Sequence, residues 1–342
     1  MITISRAGVW LCLIGTFLAA QPAIAQRADI PLLSTDPYQG AIVVGADGEV
    51  LFEDKADAPG YPASMVKLMN LLLILEGVDR GTLNLQDPVV VTAEAAGMGG
   101  SQVFLKEGEV FSIEELLYAM MIQSANDAAV ALALKVAGTK DGFVERMNRR
   151  AAELGMRKTL FHSVHGLPPA RGQEPDVSTP RDMARLCLAL LKRPDVLAYT
   201  SVTKRPFRAE SPKPFIMENH NRLLGAFEGC DGLKTGYIKA GGYSVAATAV
   251  RNGHRVVAVV MGSLNRETRD AKARELLTLG LNQLAARPPP AVLEAPEEIP
   301  APVAEKEPPA SPRRAWKWGL VIVLILGGTS LVIWTKRPRY HR

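Results

Sequence analysis

One stretch in the first third of the chain constrains its fold more than any other. Ser64 and Lys67 stand three residues apart at the start of a long, mostly apolar run. Pro62 just ahead suits a helix entry and Gly77 suits a helix end, so the pattern predicts a helix over residues 64–76. Because this helix is apolar nearly all round, we expect it to be buried in the centre of a domain.

The spacing of Ser64 and Lys67 also suggests chemistry. On a helix, residues i and i+3 share one face, and the hydroxyl would lie near the positive end of the helix dipole. Burial disfavours the charged form of a lysine, and a neutral amine can accept a serine proton. The pair alone is weak evidence, because the chain contains a second Ser-x-x-Lys at 201–204 and such pairs are commonly solvated.

Two later motifs strengthen the first. They are Ser124-Ala125-Asn126 and Lys234-Thr235-Gly236. Ser-x-x-Lys, Ser-x-Asn and Lys-Thr-Gly, in this order, form the motif set of penicillin-binding proteins and related serine β-lactamases. Only Ser64 lies upstream of both later motifs, and we therefore assign no role to Ser201.

The remaining patterns predict the architecture of an α+β protein. Short apolar strands flank a turn at 46–48, and an antiparallel meander covers residues 232–261. Helices are predicted between them, one of them with a capping box at 112–115, and an amphipathic helix at 266–285 closes the body. We expect an antiparallel sheet flanked by helices, beside a helical subdomain.

Both ends of the chain resemble targeting segments. Residues 1–25 resemble a secretory signal peptide, with an uncleaved anchor as the alternative. We expect a catalytic domain over 26–286, a spacer rich in Pro, Ala and Glu over 287–314, a transmembrane helix over 315–335 and a basic cytoplasmic tail over 336–342. An interfacial helix is the alternative to the span. This order predicts a periplasmic body held in the bacterial cell envelope.

Composition excludes several other functions. The net charge of +5 is small and comes partly from the basic C-terminus, so nothing indicates nucleic-acid binding. The mature chain would keep Cys187 and Cys230, which is too few for a disulfide framework, and Cys187 fits a core position. Histidine and cysteine show no metal-site spacing, so we expect neither a metal nor a cofactor.

The chain resembles the low-molecular-mass penicillin-binding proteins, the serine D-alanyl-D-alanine carboxypeptidases of the peptidase S11 family. The resemblance covers about residues 30–286 and includes the three motifs together with the segments Phe161-His162-Ser163-Val164-His165-Gly166-Leu167 and Val260-Met261-Gly262. It implies the penicillin-binding protein and β-lactamase-like transpeptidase fold. It also implies peptidoglycan pentapeptide stems as substrate and β-lactam antibiotics as covalent inhibitors.

The resemblance assigns the catalytic residues. Ser64 would attack the carbonyl of the terminal D-Ala-D-Ala bond, and Lys67 would accept its proton. Ser124 and Asn126 would relay a proton to the leaving amine and hold the substrate amide. His165 also matches the family, and we expect it to be a structural loop residue because Lys67 already fills the position of the base.

The resemblance likewise assigns the substrate-binding residues. Lys234 and Thr235 would receive the terminal carboxylate, and Gly236 would let the strand approach closely. The oxyanion hole would consist of the nucleophile's own N–H and that of Tyr237. Arg266 matches a family arginine that assists with the carboxylate, although a helix-surface arginine is an alternative.

Three other functions stay open on the sequence alone. A class A β-lactamase would carry a Glu-x-x-Leu-Asn loop, which does not occur between Asn126 and Lys234. An inactive penicillin-binding sensor would not need every motif intact. A DD-endopeptidase that cleaves cross-links would use the same residues and is not distinguished.

Overall fold

A five-stranded antiparallel sheet forms the centre of the computed structural model, which describes residues 27–287. Its strands, in the spatial order β2-β1-β9-β8-β7, are β1 (Gly40–Gly45), β2 (Val50–Asp54), β7 (Cys230–Ile238), β8 (Gly242–Arg251) and β9 (His254–Ser263). The predicted hairpin and meander are both confirmed. Because β1 pairs with β9, the first and last strands of the body meet within one sheet.

The helices and small hairpins complete the body. The helices are α1 (Lys67–Asp79), α2 (Ala93–Ala96), α3 (Ile113–Ile122), α4 (Asn126–Ala137), α5 (Lys140–Glu153), α6 (Pro180–Leu191), α7 (Val196–Thr200) and α8 (Arg266–Ala285). The small hairpins pair β3 (Pro88–Val90) with β4 (Val110–Ser112), and β5 (Lys204–Phe207) with β6 (Phe215–Glu218).

The inner strands β1, β8 and β9 bury both of their faces, as their largely apolar sequences require, whereas the edge strand β2 is partly exposed. In β1, Ala41 and Val43 belong to one hydrophobic cluster, with Leu277 and Leu281 of α8. Ile42 and Val44 belong to the other, with the central helices. Alternate residues of a strand point to opposite faces. The sheet therefore separates α8 from a larger helical region, as the sequence predicts.

The central helix is buried as expected, but its bounds differ from the prediction. Ser64 lies in a 3₁₀ turn (Ala63–Val66), and the α-helix begins at Lys67. The helix runs through Gly77 and is capped at Arg80, followed by Gly81 with φ 68°. Gly81 thus supplies the left-handed residue that ends the helix. Gly77 instead accommodates Leu83, because a Cβ there would lie 2.6 Å from Leu83 Cδ1.

The predicted ends of the chain fall outside the described residues. This applies to the signal peptide at 1–25, the spacer beyond residue 287, the transmembrane helix at 315–335 and the tail at 336–342. Within residues 27–287, no helix is both long and apolar enough to cross a membrane.

Candidate active site

The predicted nucleophile and base lie side by side. Lys67 Nζ donates a hydrogen bond to Ser64 Oγ at 3.0 Å, although the two residues occupy different helical elements. The 3₁₀ turn still places the hydroxyl one turn before the lysine, so the expected juxtaposition is present. Lys67 is fully buried, whereas Ser64 lines a cleft of about 580 Å³. The hydroxyl is therefore accessible from the cleft and the amine is not exposed to bulk water.

Lys67 has two further hydrogen-bond acceptors. Its Nζ donates to Asn126 Oδ1 at 2.7 Å and to the carbonyl oxygen of His165 at 2.8 Å. Desolvation, followed by the charge of Lys234, holds the pKa of Lys67 well below its usual range. The arrangement can therefore supply a neutral amine in contact with the serine hydroxyl.

The Ser124 motif lies between α3 and α4 and faces the lysine. Ser124 is nearly fully buried, lines the cleft and has φ 62°, a left-handed conformation uncommon for serine. Asn126 begins α4, and its Nδ2 donates to the carbonyl of Gly99 at 2.7 Å while its Oδ1 receives the bond from Lys67. The side-chain amide is thus held at both ends.

Strand β7 forms the opposite wall with the third motif. Lys234 and Thr235 are buried there, and desolvation together with the charge of Arg269 lowers the pKa of Lys234 to about 7. Gly236 lies against the turn before Ser64, because a Cβ at this position would collide with the carbonyl oxygen of Pro62. Glycine therefore permits the strand to approach the nucleophile.

Most of the predicted site residues thus meet in one place. The cleft is lined by Ser64, Ser101, Gln123, Ser124, Phe215, Ile216, Glu218, Asn219, His220, Arg222, Thr235, Gly236, Tyr237, Tyr243, Arg266 and Arg269. Tyr237 is half exposed, and its ring stacks on that of Tyr243 with centroids 4.2 Å apart. Arg266 is the first residue of α8, and its guanidinium carbon lies 5.6 Å from the centroid of the Tyr243 ring.

Arg269 is a cleft residue that sequence reasoning missed. It lies one helical turn after Arg266, is only 3% exposed and lowers the pKa of Lys234 by its charge. Its i+3 spacing from Arg266 on a predicted helix was a signal that could have identified it. His220, from the segment after β6, also lines the cleft, and no motif or periodicity in the sequence marks it.

His165 contributes its backbone to the site. Its carbonyl accepts from Lys67, and its Nδ1 accepts the backbone N–H of Leu167 at 3.1 Å. Desolvation is the main cause that lowers the pKa of His165 to about 3, so the ring is neutral at neutral pH. Buried Asp176 fixes the same loop, because it accepts the N–H groups of His162 and Ser163 and the Ser163 hydroxyl.

The second Ser-x-x-Lys is not part of this constellation. Ser201 Oγ donates to the carbonyl of Leu197 at 2.7 Å, and Lys204 pairs with Glu218 on the neighbouring strand. Cys187 is fully buried in the core and Cys230 is partly buried, and both thiols are free. Over residues 27–287, no group of three histidine, cysteine, aspartate or glutamate side chains could hold a metal ion.

Comparison with known proteins gives a consistent result. Residues 35–265 match the family Peptidase S11, described as D-alanyl-D-alanine carboxypeptidase. The chain is 36% identical over 251 residues to D-alanyl-D-alanine carboxypeptidase DacF of Bacillus subtilis, a match that covers 73% of this chain and 64% of DacF. The chain thus spans less than two thirds of that relative's length.

Solved structures share the fold. The ampicillin-bound penicillin-binding protein D2 of Listeria monocytogenes is 32% identical, with a TM-score of 0.63 over 71% of this chain and 97% of that one. Penicillin-binding protein 6B of Escherichia coli is 30% identical, with a TM-score of 0.65 over 75% and 80% of the two chains. These similarities confirm the predicted penicillin-binding protein and β-lactamase-like fold.

Proposed function

The chain belongs to the peptidase S11 family of D-alanyl-D-alanine carboxypeptidases, and from this we propose that it removes the terminal D-alanine from pentapeptide stems of peptidoglycan. One observation carries the proposal. A fully buried lysine amine lies 3.0 Å from a serine hydroxyl that lines a cleft. An amine kept neutral by burial is able to activate a serine for acyl transfer.

Acylation would use the contacts of Lys67. Ser64 Oγ attacks the carbonyl carbon of the D-Ala-D-Ala bond while its proton moves to Lys67 Nζ. The tetrahedral intermediate collapses as the C–N bond breaks, and the proton returns through Ser124 to the leaving amine. The products are an ester on Ser64 and free D-alanine. Asn126 would hold the substrate amide beside Lys67.

Substrate recognition would rest on the cationic end of the cleft. Lys234 and Thr235 would receive the terminal carboxylate, supported by Arg266 and by the more deeply buried Arg269. The backbone N–H groups of Ser64 and Tyr237 would stabilise the oxyanion, in the manner typical of acyl transfer. Gly236 lies close to the Pro62 carbonyl, which supports an oxyanion hole formed jointly by strand β7 and the turn that carries Ser64.

Hydrolysis of the acyl-enzyme would complete the cycle. Water attacks the ester carbonyl, Lys67 accepts the water proton, and the tetrapeptide leaves as Ser64 regains its hydroxyl. A β-lactam would also acylate Ser64, but its C–N bond lies in a ring, so the amine released by ring opening stays attached to the acyl group. The absence of a Glu-x-x-Leu-Asn sequence between Asn126 and Lys234 supports slow release of that ester.

The proposed location follows from the sequence. The reaction belongs in the cell envelope, and the predicted signal peptide at 1–25 and helix at 315–335 would leave the catalytic body on the periplasmic side of the membrane. Both segments lie outside the described residues and remain predictions.

The proposal is tested by product analysis. The purified protein should release D-alanine from a stem pentapeptide, and a Ser64→Ala variant should release none. Digestion of whole sacculi should yield free D-alanine before any split cross-bridge. Predominant cross-bridge cleavage would replace the carboxypeptidase assignment with the endopeptidase, and no product from either substrate would refute both.

Penicillin labelling separates the carboxypeptidase from a β-lactamase. A fluorescent penicillin should label the wild type but not Ser64→Ala, and the label should persist for many minutes. Loss of the label within seconds, with accumulation of hydrolysed penicillin, would indicate a β-lactamase instead.

A further inference from the structure

Asn126 is held by a loop outside the three motifs, residues 99–105. The carbonyl of Gly99 accepts from Asn126 Nδ2 at 2.7 Å, and the carbonyl of Ser101 accepts the Asn126 N–H at 2.8 Å. Gly100 is so close that a Cβ there would lie 2.7 Å from Asn126 Nδ2. The orientation of the Asn126 amide, and with it the contact of Oδ1 with Lys67, therefore depends on this loop.

The far end of the 99–105 loop is fixed by Arg208, from the turn after β5. Its Nη1 donates to the carbonyl of Val103 and its Nη2 to the carbonyl of Phe104, both at 2.9 Å. These two carbonyls belong to consecutive residues, and Phe104 has a left-handed φ of 58°. The guanidinium fork thus fixes a turn of unusual backbone conformation.

Glu109 holds Arg208 in that position. Its carboxylate accepts from Arg208 Nε at 3.1 Å and Nη2 at 2.6 Å, and both side chains are about one quarter exposed. Desolvation acts to raise the pKa of Glu109, but the hydrogen bonds from Arg208 and the Lys106 N–H lower it overall. The guanidinium also lies 4.8 Å from the ring centroid of Phe207. Such bidentate pairs hold an arginine in a defined geometry.

We propose that Arg208, held by Glu109, is a positioning residue that fixes the 99–105 loop and thereby aligns Asn126 with Lys67. The inference rests on the proposed function, because Asn126 matters only if Ser64 is acylated. Without Arg208, the carbonyls of Val103 and Phe104 lose these two donors, and the turn at Phe104 can shift although Asp127 still holds the neighbouring N–H groups. A shift that reaches Gly99 weakens its hydrogen bond with Asn126 Nδ2 and misaligns the amide with Lys67.

The loop has a second anchor, which keeps the inference testable. Buried Asp127 accepts the N–H groups of Val103 and Leu105, and both of these side chains lie in the core. A variant that lacks only the arginine should therefore remain folded. Its defect should be one of alignment in the cleft and not of global stability.

Arg205 provides a matched control. It lies on β5, three residues before Arg208, and is exposed. Its guanidinium stacks on Tyr118, 3.8 Å from the ring centroid. It therefore reproduces the loss of a stacked surface arginine without touching the 99–105 loop. Arg208→Lys tests the fork itself, because lysine keeps the charge but cannot bind two carbonyls and a carboxylate together.

The test measures acylation of the full chain by a fluorescent penicillin, at a temperature where every variant is folded. We expect Arg208→Ala to lower the second-order rate constant by about 10-fold to 100-fold, a range typical of small misplacements in an active site. Arg208→Lys should be intermediate and Arg205→Ala unchanged. In an Asn126→Ala background, Arg208→Ala should lower the second-order rate constant of acylation by less than about 2-fold, because both substitutions remove the same alignment of Asn126 with Lys67.

Amide hydrogen exchange provides a readout that does not need activity. Exchange at the N–H groups of Asn126, Val103 and Leu105 should rise in Arg208→Ala and not in Arg205→Ala. Unchanged exchange, or a full Arg208→Ala defect in the Asn126→Ala background, would overturn the inference. If the wild type formed no acyl-enzyme while exchange changed as expected, the proposed function would fail and the structural role of Arg208 would stand.

Discussion

The two buried lysines beside the cleft, Lys67 and Lys234, have opposite protonation requirements. Lys67 must be neutral to accept the Ser64 proton, and its pKa is well below the usual range. Lys234 must be charged to attract a carboxylate, and its pKa is about 7. We therefore expect kcat/KM to rise with pH as Lys67 loses its proton, and to fall as pH rises through about 7. A pH profile of D-alanine release measures both limbs.

A substitution assigns the falling limb to one residue. Lys234→Arg keeps a positive charge at every accessible pH, so its falling limb should disappear even if its maximum rate is lower. Arg266→Lys is the control, since it changes a cleft cation without altering Lys234. A falling limb that persists unchanged in Lys234→Arg would show that another group titrates.

Lys234 should also lower stability below neutral pH. Its pKa is about 7 in the folded chain against 10.5 when solvated, so the unfolded state binds more protons between these values and stability rises with pH there. Lys234→Met should raise the free energy of unfolding at pH 6 by on the order of 1–4 kcal/mol and abolish activity. The gain should shrink by pH 9, as denaturant titrations at the two pH values will show. An equal or larger gain at pH 9 would contradict this.

At the residue scale, the motifs predicted which side chains meet but not what holds them. Ser64, Lys67, Ser124 and Asn126 converge as expected from the sequence. The carbonyls of Gly99 and His165 complete the lysine and asparagine contacts, and a backbone acceptor carries no signature in residue type. Such contacts form only where loops that are distant in sequence pack beside the site, and local sequence patterns do not predict that packing.

At the element scale, the loop that carries His165 is packed directly against the nucleophile turn. Gly166 has φ 77°, and a Cβ there would collide with the Ala63 carbonyl. Gly172 in the same loop has φ 86° and no atom within 4 Å of such a Cβ. Alanine strains the backbone similarly at both positions, by about 1 kcal/mol. Only Gly166→Ala should displace the turn that presents Ser64.

These two alanine variants form a matched pair. We expect Gly166→Ala to reduce penicillin acylation at least about 100-fold, because it shifts the reacting atom itself. Gly172→Ala should retain the wild-type rate and lose only the stability common to both. Equal activity in the two folded variants would show that the contact with Ala63 does not position the nucleophile.

Element boundaries show where sequence patterns are reliable. Helix α8 has the predicted bounds: buried residues such as Leu277, Leu281 and Leu284 recur at helical spacing, and the side chain of Asn265 caps its N-terminus. The predicted start of α1 at Ser64 was wrong, because a proline before an apolar run does not distinguish a 3₁₀ turn from an α-helix. The β5–β6 hairpin was missed, because each of its strands has only four residues and neither sequence alternates between apolar and polar side chains.

At the scale of the whole molecule, strand pairing determines which part of the chain folds together. The sequence predicted an antiparallel sheet from strands at both ends, but not that β1 lies between β2 and β9. Six residue pairs join β1 to β9 across about 200 residues of intervening chain, from Gly40↔Met261 to Gly45↔Val256. Turn residues in the sequence predict local hairpins, whereas the pairing of β1 with β9 depends on the burial of both sheet faces.

This pairing predicts that an active fragment must include β1. Both large hydrophobic clusters lie within residues 27–287, so that fragment should fold alone and react with fluorescent penicillin at the rate of the full chain. A fragment of 47–287 lacks β1, which exposes one side of β9 and removes Ile42 and Val44 from the core. It should not fold. Circular dichroism of the two fragments measures their folding, and labelling with fluorescent penicillin measures their activity. A folded, reactive 47–287 fragment would show that β1 is dispensable.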